Sequence, residues 1–276
     1  MIHNTIDNID IYSNNSDNSD NNSDEDITIK NYYWAPNTSI IKIIENFCLS
    51  NKYNKVLEIG PGKKPFSLST NFIGINETLK CIDVDIDIET LPFTKDEFHF
   101  IYCRHVLEDI QNPDFALNNF FRVSKFGGYI ETPSPLIEIT KNVDAHSNAS
   151  TYCGYIHHRY IVWSNIKKNE IYFLPKYSCI LDNMLNTKMS SKYINNLINN
   201  YPIYWNNYFL FCSENKPKII MYKNGVNFNN TPNSNMAIEY INLLSKAVNE
   251  SIENTNYFIQ TYSTLIQDPS TFHFEN

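Results

Sequence analysis

The chain has no apolar run long enough to cross a bilayer, which excludes a helical membrane span on sequence grounds. Met1 to Asp26 carries no Lys or Arg and no apolar core, so the parts of a signal peptide are missing and a cytoplasmic location is expected. The six cysteines, Cys48, Cys81, Cys103, Cys153, Cys179 and Cys212, form no Cys-x-x-Cys pair and no Cys/His grouping of zinc type, leaving free thiols as the favoured reading. A basic surface is also missing. Of the net charge of −8, seven units come from Asp7, Asp10, Asp17, Asp20, Asp24, Glu25 and Asp26, which leaves −1 for the rest. A broad phosphate-binding face is therefore not indicated, and nucleic acid is a weak choice of partner. No internal repeat is evident.

What is present suits a soluble globular protein: 276 residues, 42% hydrophobic and 19% charged, enough for one large α/β domain with an appendage. Ser13 to Asp24 is a low-complexity Asn/Ser/Asp run with nothing to bury, so residues 1–28 are expected to be a disordered acidic tail. Behind the candidate cap Asn37-Thr38-Ser39, Ile40, Ile41, Ile43, Ile44 and Phe47 recur at helical spacing. Short apolar runs predict strands at Lys55–Ile59, Phe72–Ile75, Cys81–Ile86, Phe98–Cys103 and Gly128–Thr132, with a helix over Phe115–Val123. Strands alternating with helices imply a parallel sheet covered on both faces. Beyond Pro135, strands are predicted at Tyr160–Trp163, Ile171–Leu174, Tyr204–Phe211 and Lys218–Tyr222, forming the far edge of the same sheet. A helical insertion is expected at about 180–200. A last helix carries the stripe Ile241, Leu244, Val248 and Ile252.

The chemistry concentrates where the first strand ends. Gly60-Pro61-Gly62 makes a loop without bulky side chains, which lets backbone approach a nucleotide. A dinucleotide fingerprint requires a third glycine at position 65, and Pro65 stands there, which argues against NAD. Glu58 lies near the end of a buried strand, where a carboxylate is costly without a partner. A cationic ligand would supply one.

Val56 to Gly62 resembles the first motif of class I S-adenosylmethionine-dependent methyltransferases, an acid followed by spaced glycines. Asp87-Ile88-Glu89-Thr90-Leu91-Pro92-Phe93, followed by Phe98 to Ile110 with its His105-x-Leu107-Glu108, resembles the type 11 methyltransferase family. Arg122 to Glu131 resembles that family's turn into the fifth strand, with Phe126 in place of the usual proline and Lys64 in place of its third glycine. The resemblance implies a Rossmann-like α/β fold: a mostly parallel seven-stranded sheet with helices on both faces, a helical insertion and a C-terminal helix. The methyltransferase domain then covers 29–230 and a helical extension 231–276. S-adenosyl-L-methionine is the implied methyl donor, with Glu58, Gly60, Pro61, Gly62, Asn76, Asp87, Ile88 and Cys103 as cofactor contacts. Asp87 matches the adenine contact, and its carboxylate suits an exocyclic amine. The ribose acid is left open among Asn76, its neighbour Glu77, Asp83 and Asp85.

Methyl transfer needs alignment and desolvation, and a hydroxyl acceptor also benefits from a base of near-neutral pKa. His105 is the first candidate; its bland reading is a helix-start residue that packs or caps. Glu131 either orients a substrate or pairs with a neighbouring base. His146, His157, His158 and Arg159 come from segments that can roof the pocket. No metal is expected at His157-His158, since adjacent side chains in a strand face opposite ways. Two functions compete: methylation of a small-molecule, sugar or other non-nucleic acceptor, or a catalytically silent cofactor-binding scaffold.

Overall fold

The computed structural model describes residues 37–62, 65–74, 91–140, 153–177, 202–222 and 234–267. The acidic tail, the strand expected at Cys81–Ile86 and the insertion at 180–200 lie outside them. Helix α1 (Thr38–Ser50) starts where its cap predicts: the Asn37 side chain accepts hydrogen bonds from the Ser39 and Ile40 amides at 3.0 and 3.2 Å. Its buried face is Ile40, Ile43, Ile44, Phe47 and Cys48. Each of its large apolar side chains contributes roughly 1.5–3 kcal/mol on burial, as an upper estimate.

Five strands form the main sheet, in the order β2 (Asn71–Ile73), β1 (Val56–Ile59), β3 (Phe98–Arg104), β4 (Ser124–Pro133) and β7 (Asn206–Cys212). The first four are parallel and β7 runs antiparallel to β4. Because β2 lies on one side of β1 and β3 on the other, the strand order reverses at β1. The carboxyl ends of β1 and β3 at such a reversal are the place where doubly wound sheets bind ligands. Helix α2 (Pro113–Val123) covers one face through Ala116, Leu117, Phe120 and Phe121. The other face is covered by α1 and, beyond the short α3 (Pro135–Glu138), by the end of the long helix α4 (Ser234–Tyr262), whose Phe258 and Tyr262 join Tyr102, Tyr129 and Tyr208.

The expected single seven-stranded sheet is corrected. Among the described residues, β5 (Tyr160–Asn165), β6 (Glu170–Pro175) and β8 (Lys218–Met221) form a second sheet of three strands. The reason lies in which partners its backbone finds. The Ser164 amide and hydroxyl both donate to the Asn207 side-chain oxygen, at 3.1 and 3.0 Å, so a side chain joins the sheets where a ladder would otherwise run. Both faces of the second sheet are apolar and both are covered. Val162, Ile171 and Phe173 pack into the α2 core, while Ile161, Trp163, Tyr172 and Leu174 meet Tyr240, Leu244 and Ala247 of α4.

Helix α4 also departs from its predicted stripe. Its buried line runs Tyr240, Leu244, Ala247, Ser251, Asn254, Thr255, Phe258 and Tyr262, while Ile241, Val248 and Ile252 are only half-buried. One polar member, Asn254, works at the junction of the sheets: its amide donates to the Ser164 hydroxyl and the Tyr208 carbonyl, and its oxygen accepts from the Ile166 amide. No helix of the described residues is long and apolar enough to cross a membrane. Cys48, Cys103, Cys153 and Cys212 are free thiols, and Cys81 and Cys179 fall outside the described residues.

Candidate functional site

The loop after β1 and the turn after β3 meet at the carboxyl edge of the sheet. Gly60 has φ +73°, and a Cβ there would stand 2.4 Å from Val106 Cγ2, so only glycine lets the two segments touch. Gly62 has φ +55°, and among the described residues a Cβ built on it would meet nothing within 4 Å, so what favours glycine there is the backbone conformation. Glu58 closes the loop from below. Both its oxygens accept from the Phe66 amide, at 3.1 and 2.9 Å, and the Phe66 ring stacks on Tyr102 with centroids 4.3 Å apart. Burial raises the Glu58 pKa above the ordinary carboxylate value, with the Phe66 hydrogen bond and the Arg104 charge acting against it. The desolvation that a ligand was invoked to offset is thus partly met inside the chain.

At the ends of β3 and β4 the side chains converge on Glu131, which is 1% exposed. Its Oε1 accepts from Arg104 Nε at 3.0 Å and Asn206 Nδ2 at 2.9 Å, and its Oε2 accepts from the Tyr129 hydroxyl at 2.7 Å. Burial alone would raise its pKa. The Arg104 charge, the His105 ring and the Tyr129 hydroxyl outweigh that and hold it down to about 2. A carboxylate held so far below neutral pH is a weak proton acceptor. Among the two readings of Glu131, the structure supplies the neighbouring base, Arg104.

His105 sits between two acids. Its Nδ1 lies 3.4 Å from Glu108 Oε1, its Nε2 lies 3.7 Å from Glu131 Oε1, and its amide donates to the Glu131 carbonyl at 2.9 Å. Burial opposes the imidazolium, but Glu108 and Glu131 together raise its pKa above the ordinary histidine value. The residue does not start a helix. With φ +52° it leads a turn, and α2 begins only at Pro113, where proline suits a first helical position. Cys103 is fully buried on the α2 side of the sheet, so its side chain is core and any ligand contact falls to its backbone. Asn76, Glu77, Asp83, Asp85, Asp87, Ile88 and His146 lie outside the described residues.

The histidine pair is corrected as well. His157 and His158 lie in a turn ahead of β5, so strand alternation does not apply. Their rings are 4.5 Å apart, and both Nε2 atoms approach Asp109 Oδ1, at 4.0 and 3.9 Å. The Glu108 carbonyl holds this segment in place by accepting from the Arg159 and Tyr160 amides at 2.8 and 3.1 Å. Behind His158 stands Glu138, 1% exposed. Glu138 Oε1 is 2.6 Å from His158 Nδ1, and its Oε2 accepts from Lys176 Nζ at 2.5 Å. Against burial, the Lys176 and His158 charges hold the Glu138 pKa down to about 2. Sequence reasoning missed Arg104, Glu138, Lys176 and Asn206. Glu138 did carry a signal: an acid inside Leu136-Ile137-Glu138-Ile139 raises the same desolvation problem as Glu58.

The glycine loop and the reversed strand order can be set beside known proteins. Residues 64–131 match the family model of a methyltransferase domain. The resemblance to the type 11 methyltransferases is thereby shown for that stretch, which contains β2, β3, α2 and most of β4. No curated protein matches the chain. Among solved structures, a candidate methyltransferase of Bacillus halodurans C-125 is 18% identical, with 33% of this chain and 51% of that one covered and a TM-score of 0.26. An S-adenosylmethionine-dependent methyltransferase of Mesorhizobium loti is 11% identical over 53% and 73%, with a TM-score of 0.26. The cyclase SpnF is 12% identical over 69% and 88%, with a TM-score of 0.32. The chain spans about half the length of the Bacillus halodurans protein, and likeness at these levels carries no weight for function. The α/β methyltransferase-like fold rests on the family match and on the strand order.

Proposed function

We propose that the chain transfers a methyl group from S-adenosyl-L-methionine to a small-molecule, sugar or other non-nucleic acceptor. The observation that carries this reading is the glycine loop at the reversal of strand order, in a chain whose next segment matches a methyltransferase domain. The residues present fit the cofactor: Gly60, Pro61 and Gly62 offer backbone at the carboxyl edge, and the Glu58–Phe66 hydrogen bonds keep that backbone in place. Asn76, Asp87, Ile88 and the Cys103 backbone are proposed to complete the cofactor contacts. When bound, the group supplies an electrophilic methyl on a sulfonium.

The chain's own part is to hold the acceptor in line and keep water out. His105 is the proposed proton acceptor for a hydroxyl nucleophile. Glu131 is its positioning residue, through the carbonyl that receives the His105 amide. On the same reading the methyltransferase domain runs over 29–230 and 231–276 is its C-terminal extension.

Calorimetric titration with S-adenosylmethionine and its demethylated product tests the cofactor assignment. Wild type is expected to bind both, and Gly60→Val and Asp87→Ala to lose about 100-fold or more. That is the cost of about 3 kcal/mol in contacts. Binding of neither ligand by folded wild type overturns the reading. With binding established, labelled methyl transfer into small-molecule extracts is expected to label an acceptor; no label with any fraction leaves the silent scaffold as the function.

A further inference from the structure

Outside the glycine loop, one cluster has the form of a ligand site. Asp109 Oδ1, His157 Nε2 and His158 Nε2 lie within 4.8 Å of one another. Two imidazoles and one carboxylate are a donor set for a divalent first-row transition ion. Two further observations separate this set from a chance grouping of polar side chains. Asp109 Oδ1 is shielded from solvent yet accepts no hydrogen bond from the described residues, and burying such an atom without a partner is unfavourable. The His158 side chain is 5% exposed, and its Nδ1 is 2.6 Å from the buried Glu138 carboxylate. That contact holds a proton on Nδ1 and turns Nε2 towards Asp109 and His157, where a bound metal ion takes the place of any Nε2 proton. A carboxylate holding the far nitrogen of a histidine is the usual outer arrangement of a metal-ligating imidazole.

We infer that Asp109, His157 and His158 bind one divalent transition-metal ion, with Glu138 orienting His158 from behind. An ion equidistant from the three atoms stands roughly 2.5 Å from each, and bonds of about 2.0–2.2 Å need inward movement of only a few tenths of an ångström. His157 is 62% exposed and the Asp109 side chain 40% exposed, so both can make that movement. Three protein ligands leave at least one coordination position for an oxygen donor from solvent or substrate. Its place follows from the fold. Asp109 belongs to the turn that starts at His105, and Val106 of that turn touches the Gly60 loop. An oxygen ligand on the ion is therefore held by the turn that touches the proposed cofactor loop; only this last role rests on the methyltransferase reading.

The test uses the full chain, stripped with a chelator and titrated with zinc in a calorimeter, without S-adenosylmethionine. Cobalt in place of zinc adds an absorption spectrum that reports the ligand set. One ion per chain is expected. His157→Ala and Asp109→Asn should each weaken binding by about 100-fold and change the cobalt spectrum, and Glu138→Gln should weaken it by about 10–100-fold. His99→Ala, at the opposite end of β3, should leave both readouts unchanged. His157→Ala removes an exposed side chain, so its metal-free thermal melt should match wild type and exclude misfolding as the cause. Absence of one-to-one binding, or affinities in His157→Ala and Asp109→Asn equal to wild type, overturns the site. Because no cofactor is present in the titration, failure of the methyl-donor reading leaves this result unaffected.

Discussion

Two buried carboxylates flank the turn that begins at His105, and they differ in what stands on the far side of their cations. Glu131 is enclosed: Arg104, Asn206 and Tyr129 occupy both its oxygens within the core, and Arg104 is largely covered. Glu138 is equally buried, but its partner His158 has a second ring nitrogen that looks outward to Asp109 and His157. A buried ion pair whose cation is used up by the fold acts structurally. One whose cation has a second functional atom at the surface acts as an outer support for chemistry there.

The sharpest way to break the comparison is to remove each acid. Glu131→Gln leaves the Arg104 charge buried beside a neutral amide, and is expected to cost about 3–5 kcal/mol in urea denaturation. Glu138→Gln should cost less, because His158 and the buried Lys176 can each shed a proton while an arginine cannot. Equal losses would show that the outward nitrogen makes no difference to stability. Acid titration comes next. Both carboxylates have folded pKa values of about 2, below their ordinary value, so their stabilisation is complete above the ordinary carboxylate range. It is lost as pH falls from about 4.5 towards 2, by about 3 kcal/mol for each acid as an order of magnitude. Urea midpoints measured across that window should fall steeply in wild type and less steeply in Glu131→Gln.

Gly62→Ala tests the glycine loop against both clusters. At φ +55° the new side chain costs about 1–2 kcal/mol of backbone strain without a clash, and the loss should appear in thermal unfolding. The smallest expected effect is His157→Ala, within about 0.5 kcal/mol of wild type in the absence of metal. On the alkaline side the histidines give the opposite sign. His105 and His158 have folded pKa values raised by their carboxylates, after burial has opposed them. Their stabilisation is present below the ordinary histidine value and is lost as pH rises through the folded one, which a denaturation series above pH 6.5 would follow.

Much of the main sheet was legible because it rests on local pattern. Asn37 caps the helix it was expected to cap, and β1, β3 and α2 fall within a few residues of their predicted spans. The second sheet was not legible in the same way. The Ile161-Val162-Trp163 run shows that β5 is buried on both faces, but not which strand lies beside it; the Asn207 side chain decided that from more than forty residues away. The stripe on α4 misled because Asn254 is buried for its hydrogen bonds, with Ser251 and Thr255 buried on the same line, which hydrophobic spacing does not register. The site divides similarly. Gly60 and Gly62 announced themselves through composition, whereas Arg104, Asn206 and Lys176 matter only through the acids they reach.

The order of the chain alone determined the glycine loop: an apolar strand followed by Gly-Pro-Gly ends in a tight loop without bulky side chains, because backbone sterics act between neighbours. Tertiary structure alone decided the meaning of the histidine pair. Adjacent residues diverge in a strand and converge in a turn, and whether the chain turns at His157 depends on the Glu108 carbonyl taking the amides of Arg159 and Tyr160 across the molecule.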